Sequence, residues 1–191
     1  MTGHDDLPVA ARARRLEERL IAAGLTSDDE MDEFLTRIYT KASPVNGARM
    51  VARAWTDPQY RDLLLSDGDA AAIQMGYGDL TYGLRIVPNT ETTHNVIVCT
   101  LCSCYPTSLL GPSPSWYKSF AYRSRVVREP RAVLGELGLI LPGDVQIAVW
   151  DSTAQTRYLV LPVRPQAAGG LDEAALADLV TRDGMIGTAQ V

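Results

Sequence analysis

Apolar residues recur at helical spacing through the first third of the chain. Ala13, Leu16, Leu20 and Ala23 share one face, and Gly24 is placed to end that helix. Ser27 followed by Glu30 has the spacing of a capping box. Met31, Phe34, Leu35 and Ile38 then repeat on a second helix, and Pro44 interrupts the pattern. A third helix is expected around Val51, Ala54 and Trp55. Pro58 suits the first turn of a fourth, which carries Leu63 and Leu64 and stops near Asp67-Gly68. Short amphipathic helices are marginal on their own, so this arm is expected to lie on a partner.

From about residue 82 the period changes from helix to strand. LRIVP and NVIV are short β-branched runs around the turn-rich NTETTH, and a cluster of cysteines follows the second run directly. LLGPSPS is expected to be a loop. Pro130 opens a helix with Val133, Leu134 and Leu137 inward and Gly138 as its stop. VQIAVW alternates as a strand, RYLVLPV reads as its partner, and DSTAQT between them is expected to be the turn of a hairpin. LDEAALADLV forms a last short helix. The expected class is α/β: an N-terminal helical arm over 1–80, then one mixed α/β domain over 81–191.

Composition changes this picture only at its edges. The 191 residues are 46% hydrophobic and 21% charged, a soluble globular profile. A net charge of −5 argues against nucleic acid or an anionic membrane as partner. No apolar run approaches the roughly 20 residues that span a bilayer. The charged stretch MTGHDDLPVAARARRLEERL lacks the apolar core of a signal peptide, so a cytoplasmic location is expected.

The three cysteines all fall between 99 and 104. A disulfide scaffold would spread an even number along the chain, so clustering points to metal or thiol chemistry. In the spacing C-x-x-C-x-C, Cys102 and Cys104 are two residues apart. If both sulfurs bind one ion, the backbone between them is drawn against it, and the amide nitrogens of Ser103 and Cys104 sit where ligands would be. Three thiolates and two deprotonated amides make five donors, with one position open on an octahedral ion. Structural zinc prefers a closed tetrahedron, and only His4 and His94 are available as imidazole ligands. A trivalent cobalt or iron suits ionised amides better, and it would polarise whatever bound at the open position. On spacing alone, metal catalysis, structural zinc and thiol redox chemistry all remain open.

Val98-Cys99-Thr-Leu-Cys102-Ser-Cys104 resembles the metal-binding signature of the nitrile hydratase alpha-subunit family, which the gamma subunit of thiocyanate hydrolase shares. ARAWTDPQYRDLLLSDG, NTETTHNVIVC, WYKSFAYRSRVVREPRAVLGELG, VWDSTAQTRYLVLPVRP and LVTRDGMIG are similar to family segments as well, so the likeness runs over nearly the whole chain. It implies the alpha-chain fold, hydration of a nitrile to an amide, and a Co(III) centre, with iron less favoured because Thr100 matches the cobalt version of the motif. Cys99 would stay a thiolate, Cys102 would become a sulfinic acid and Cys104 a sulfenic acid. Ser103 and Cys104 would donate backbone nitrogens. Either the metal acts as Lewis acid or the oxygen on Cys104 attacks the nitrile, and the Ser103 hydroxyl either bonds substrate or water or simply fits the claw. The resemblance also implies a beta-type partner whose arginines bond the oxidised cysteines, and an activator protein that inserts cobalt.

Smaller features complete the expectation. Arg123 and Arg125 are candidates for local charge compensation. His94 is expected to be structural, Asp151 to make a turn, and Trp116 and Tyr117 to pack while Lys118 is solvated. Family members commonly carry Pro-Trp-Pro after the third cysteine, whereas this chain reads Tyr105-Pro106-Thr107-Ser108. Thr107 in place of an indole, with Tyr105 beside it, implies a larger and more polar substrate pocket suited to a heteroaromatic or nucleoside nitrile such as toyocamycin. Leu80 stands where many members have a glutamine behind the metal. Two competing readings are the metal subunit of thiocyanate hydrolase and a non-catalytic thiol or metal protein of the same fold.

Overall fold

The computed structural model of the chain describes residues 8–77 and 82–191, without the side chains of 37–40. His4 and Leu80 lie outside the described residues, as does the side chain of Ile38. The chain divides into two compact units, 1–41 and 42–191. The expected division was at 80/81.

The first unit holds α1 (Val9–Ala22) and α2 (Asp28–Lys41). Gly24 follows α1 with a positive φ of 66°, as a helix-ending glycine should. The capping box forms as the spacing predicts: the Ser27 amide donates to Glu30 Oε2 at 3.0 Å, and the Glu30 amide donates to Ser27 Oγ at 3.2 Å. No residue of α1 is buried, and Leu16, Phe34 and Leu35 all stay exposed.

The second unit begins with α3 (Pro44–Thr56), α4 (Pro58–Ser66) and α5 (Gly68–Gln74). Ser43, Asp57 and Asp67 cap them, and Pro44 and Pro58 open two of them at positions whose missing N–H costs nothing. Pro44 therefore starts a helix, and Asp67-Gly68 ends one only to begin another. These helices are core. Met50, Val51, Ala52, Leu64, Ala71 and Ala72 are fully buried, and α5 packs on the first strand. That packing is why the body extends back to residue 42.

The strands are β1 (Gly83–Pro88), β2 (Thr93–Val98), β3 (Gln146–Asp151) and β4 (Thr156–Leu161). β1 pairs in parallel with β4, and β2 in parallel with β3. The expected hairpin of β3 and β4 is thus corrected, because 151–156 carries the chain from one ladder to the other. Burial explains the choice. β2 is buried from His94 to Val98 and β4 from Leu159 to Leu161, so each needs cover on both faces, as parallel strands do. β3 is amphipathic and half-exposed, a strand at an edge. Buried Asn95 ties the pieces together: its Nδ2 donates to Pro88 O at 2.8 Å, and its Oδ1 accepts from Trp150 Nε1 at 2.7 Å.

Between β2 and β3 run α6 (Thr107–Leu110), α7 (Ser115–Lys118), α8 (Phe120–Arg125) and α9 (Pro130–Glu136). Leu109 and Leu110, expected in a loop, are fully buried in α6. Leu137, expected inward, lies past the end of α9 and is exposed. A 3-10 turn at Gln166–Ala168 leads to α10 (Glu173–Leu179), which packs on α3, and to α11 (Arg182–Ile186), which the hydrophobic pattern did not mark. Among the described residues no helix is long and apolar enough to cross a membrane.

His94 is structural, as expected. Its Nε2 donates to Gly187 O at 2.8 Å, its Nδ1 accepts from Asn89 Nδ2, and burial holds its pKa below the usual histidine value. Gly187 ends α11 with φ of 89°, and a Cβ there would lie 2.0 Å from Asn95 O. Both the left-handed backbone and the contact with β2 demand glycine. Gly187→Ala should therefore destabilise the chain by about 2–4 kcal/mol, read as a lower denaturation midpoint. A change within about 0.5 kcal/mol would mean that this contact is not part of the fold.

Candidate metal centre

β2 delivers the cysteine cluster. Cys99 follows its last residue directly, at the carboxyl end of a parallel pair, where ligand sites in such sheets form. The neighbouring strand meets it there. Asp151, at the end of β3, accepts from the Thr100 amide at 2.9 Å and from the Thr100 hydroxyl at 2.6 Å. It was expected to make a turn, and instead it holds the first turn of the cysteine loop with both carboxylate oxygens.

The three sulfurs converge. Cys99 Sγ and Cys102 Sγ are 3.3 Å apart, Cys102 Sγ and Cys104 Sγ are 3.1 Å apart, and all three lie within 4.8 Å of one another. With metal–sulfur bonds of about 2.3 Å, sulfurs at right angles sit about 3.3 Å apart, and tetrahedral ones about 3.8 Å. The Cys99–Cys102 and Cys102–Cys104 spacings both lie nearer the right-angle value. The Cys102 amide donates to Cys99 Sγ at 3.3 Å. The Ser103 and Cys104 nitrogens lie in the short stretch of backbone between two of the converging sulfurs, so the residues present fit a metal held first by three sulfurs.

The thiols differ in their readiness to ionise. Hydrogen bonds from Cys104 and Cys99, helped by the Ser103 and Cys104 amides, lower the Cys102 thiol to about 7. Desolvation first, and then the neighbouring Cys102, push the Cys104 thiol up to about 12, with the Arg157 guanidinium pulling against them. Cys99 is buried, Cys102 and Ser103 are exposed, and Cys104 is half-buried.

An aromatic platform supports the loop from below. Tyr105 packs edge-on against Tyr117 at 5.1 Å and Trp116 against Tyr122 at 4.9 Å. Their hydroxyls hold backbone oxygens: Tyr117 donates to Cys104 O at 3.0 Å, Tyr122 to Ile97 O at 2.7 Å and Tyr105 to Leu110 O at 3.5 Å. Tyr105 is only 4% exposed, so it stands behind the claw, while Thr107 is half-buried beside it. Tyr117 was expected only to pack, and its bond to Cys104 had no sequence signal. Lys118 is exposed, as anticipated.

The two candidate arginines separate. Arg123 Nη1 donates to Cys102 O at 2.8 Å, whereas Arg125 is committed to Glu129 and, in a paired fork, to Glu136 at 2.8 and 2.7 Å. Arg157 was missed. It projects from β4 over the Tyr82 ring at 5.1 Å, within electrostatic reach of Cys104, and its Nε and Nη1 are buried without a hydrogen-bond partner. Only the crossing of β4 behind β2 brings it there.

The model of the nitrile hydratase alpha chain matches residues 7–189. The chain belongs to the nitrile hydratase alpha-chain family. It is 46% identical to the alpha subunit of the low-molecular-weight cobalt-containing nitrile hydratase of Rhodococcus rhodochrous, over 95% of this chain and 88% of that one. It is 44% identical to the thiocyanate hydrolase gamma subunit of Thiobacillus thioparus, over 91% of this chain and 76% of that one. Among solved structures, a double mutant of the Fe-type nitrile hydratase from Comamonas testosteroni Ni1 superposes with a TM-score of 0.88 at 40% identity, covering 96% of this chain and 92% of that one.

Because the thiolate is the nucleophile, a thiol reagent applied to the metal-free chain should modify Cys102 before Cys104, with a rate that rises as pH passes about 7. Peptide mapping after timed alkylation reads the order. Faster labelling of Cys104 would contradict the arrangement described for the loop.

Proposed function

We propose that this chain is the catalytic, cobalt-holding alpha subunit of a nitrile hydratase, which adds water to a nitrile and gives the amide. The observation that carries this reading is the convergence of the three cysteine sulfurs within 4.8 Å of one another. Co(III) bound there would supply a Lewis acid with one open position. Cys99, Cys102 and Cys104 would hold it through sulfur, and Ser103 and Cys104 would hold it through their nitrogens. Relatives named as cobalt-containing support cobalt over iron, although the fold is shared with an Fe-type enzyme.

The chain's own residues orient and shield. Cys102 as sulfinate and Cys104 as sulfenate would place acceptor oxygens beside the site, and the Cys104 oxygen is the candidate to act on the substrate. The Ser103 hydroxyl is open to solvent on the same rim, where it can hold a water or the substrate. Leu101, Cys102 and Ser103 are exposed, so among the described residues the front of the loop is open to bulk water. A beta-type partner is therefore required to close it and to bring arginines to the oxidised sulfurs, and the chain alone is inactive. Loading in the cytoplasm through a cobalt-insertion activator completes the reading. Thr107, small and half-buried beside the claw, leaves room for a heteroaromatic or nucleoside nitrile.

A second reading, the metal subunit of a thiocyanate hydrolase, is favoured by the 44% identity to such a subunit and by the Arg157 cation near Cys104. Thr107 and Ser108 add no charge for an anionic substrate, which keeps nitrile hydration first.

Co-expression with partner subunits in cobalt medium, then assay on nitriles and on thiocyanate, decides between them. Amide formation should fall by about 100-fold or more in Cys104→Ala, as expected for loss of a group acting on the reacting atoms. Unchanged activity in that variant removes the site assignment. On substrate size, kcat/KM should favour bulky heteroaromatic nitriles over acetonitrile or acrylonitrile, and strong preference for the small ones would sink the role given to Thr107.

A further inference from the structure

We infer that Arg123 is the counter-cation of the Cys102–Ser103 peptide when its nitrogen serves as a metal ligand. The inference rests on the five-donor claw proposed above. For the Ser103 nitrogen to bind, its N–H bond breaks, the proton passes to solvent, and the nitrogen lone pair goes to the metal. The negative charge left behind is shared across the peptide group, and its oxygen end is the carbonyl of Cys102. Arg123 Nη1 already donates to that oxygen at 2.8 Å. The donor is already ionised, and a negative charge on the acceptor turns the contact into an ion pair, so it strengthens as the amide becomes a ligand.

The surroundings of Arg123 point the same way. It lies in α8, whose start is fixed by the Ser119 cap and whose inner face is fixed by Tyr122 bonded to Ile97 O. Two residues on, Arg125 is satisfied by the carboxylates of Glu129 and Glu136. Among the described residues Arg123 has no carboxylate partner, and its Nε is buried without a hydrogen-bond partner. The hydrogen bond to the Cys102 carbonyl thus leaves the Arg123 charge without a carboxylate to balance it among the described residues. An anionic peptide oxygen supplies the missing charge. Arg123 thus acts through the Ser103 nitrogen and is a positioning residue. It is separate from the partner arginines, which serve the sulfur oxygens.

The test uses the complex of this chain with its partner subunits, expressed with cobalt(II) chloride, as wild type, Arg123→Met, Arg123→Lys and Arg125→Met. Three quantities are measured: cobalt per chain after gel filtration in chelator, the position of the visible sulfur-to-metal absorption band, and the thermal midpoint of the metal-free chain. In Arg123→Met, cobalt retention should fall roughly tenfold, and the band of the remaining loaded protein should move. Arg123→Lys should recover a large part of both, since it restores a cation. Arg125→Met should keep wild-type loading and band. Wild-type loading and band position in Arg123→Met overturn the inference while leaving the claw intact. Equal losses in the Met and Lys variants, with the metal-free midpoint lowered in both, mean a packing role and overturn it too. A wild-type complex that holds no cobalt removes the proposed claw, and this inference with it.

Discussion

The structure turns on holding six residues, Cys99 to Cys104, in a tight loop. Four side chains do this through five hydrogen bonds, all but one of them to the backbone. Asp151 holds the Thr100 amide and hydroxyl, Arg123 the Cys102 oxygen, Tyr117 the Cys104 oxygen, and Tyr122 the Ile97 oxygen just before the loop. The parallel pairing of β2 with β3 brings Asp151 to the right height. Because these bonds use peptide groups, the sulfurs stay free to face one another. Hydrogen bonds to the residues that carry metal ligands commonly set how those ligands are aimed.

Charge is distributed with the same logic. A cluster of thiolates and ionised amides is strongly anionic, and this chain answers with cations at two depths. Arg123 reaches the loop from α8, and Arg157 reaches toward Cys104 from β4 across the Tyr82 ring. Neither covers the exposed rim of Cys102 and Ser103. The cysteine loop is therefore supported from behind and open in front. In the first unit α1 buries no residue, and the apolar side chains of Leu16, Phe34 and Leu35 are exposed.

The residues of the chain determined much of this by themselves. Helical periodicity, the Ser27–Glu30 box and the prolines at 44 and 58 specify the helices locally, through caps and φ restrictions that need no distant contact. The C-x-x-C-x-C spacing determines that three sulfurs and two amides can meet, since covalent geometry leaves so short a loop few alternatives. Tertiary structure decided the rest. β3 and β4 look like a hairpin because alternation and a turn-rich link are local signals, whereas strand pairing is settled by which faces need cover, and β2 and β4 are buried on both. The boundary at 42 follows from the packing of α3 against distant α10 and α6, with Ala52 buried beside Leu176. Arg123 and Arg125 are equivalent in the sequence, and only the fold gives one to the claw and the other to Glu136. Arg157 has no signal at all, because its approach to Cys104 spans 53 residues of chain and exists only once two separate ladders are packed together.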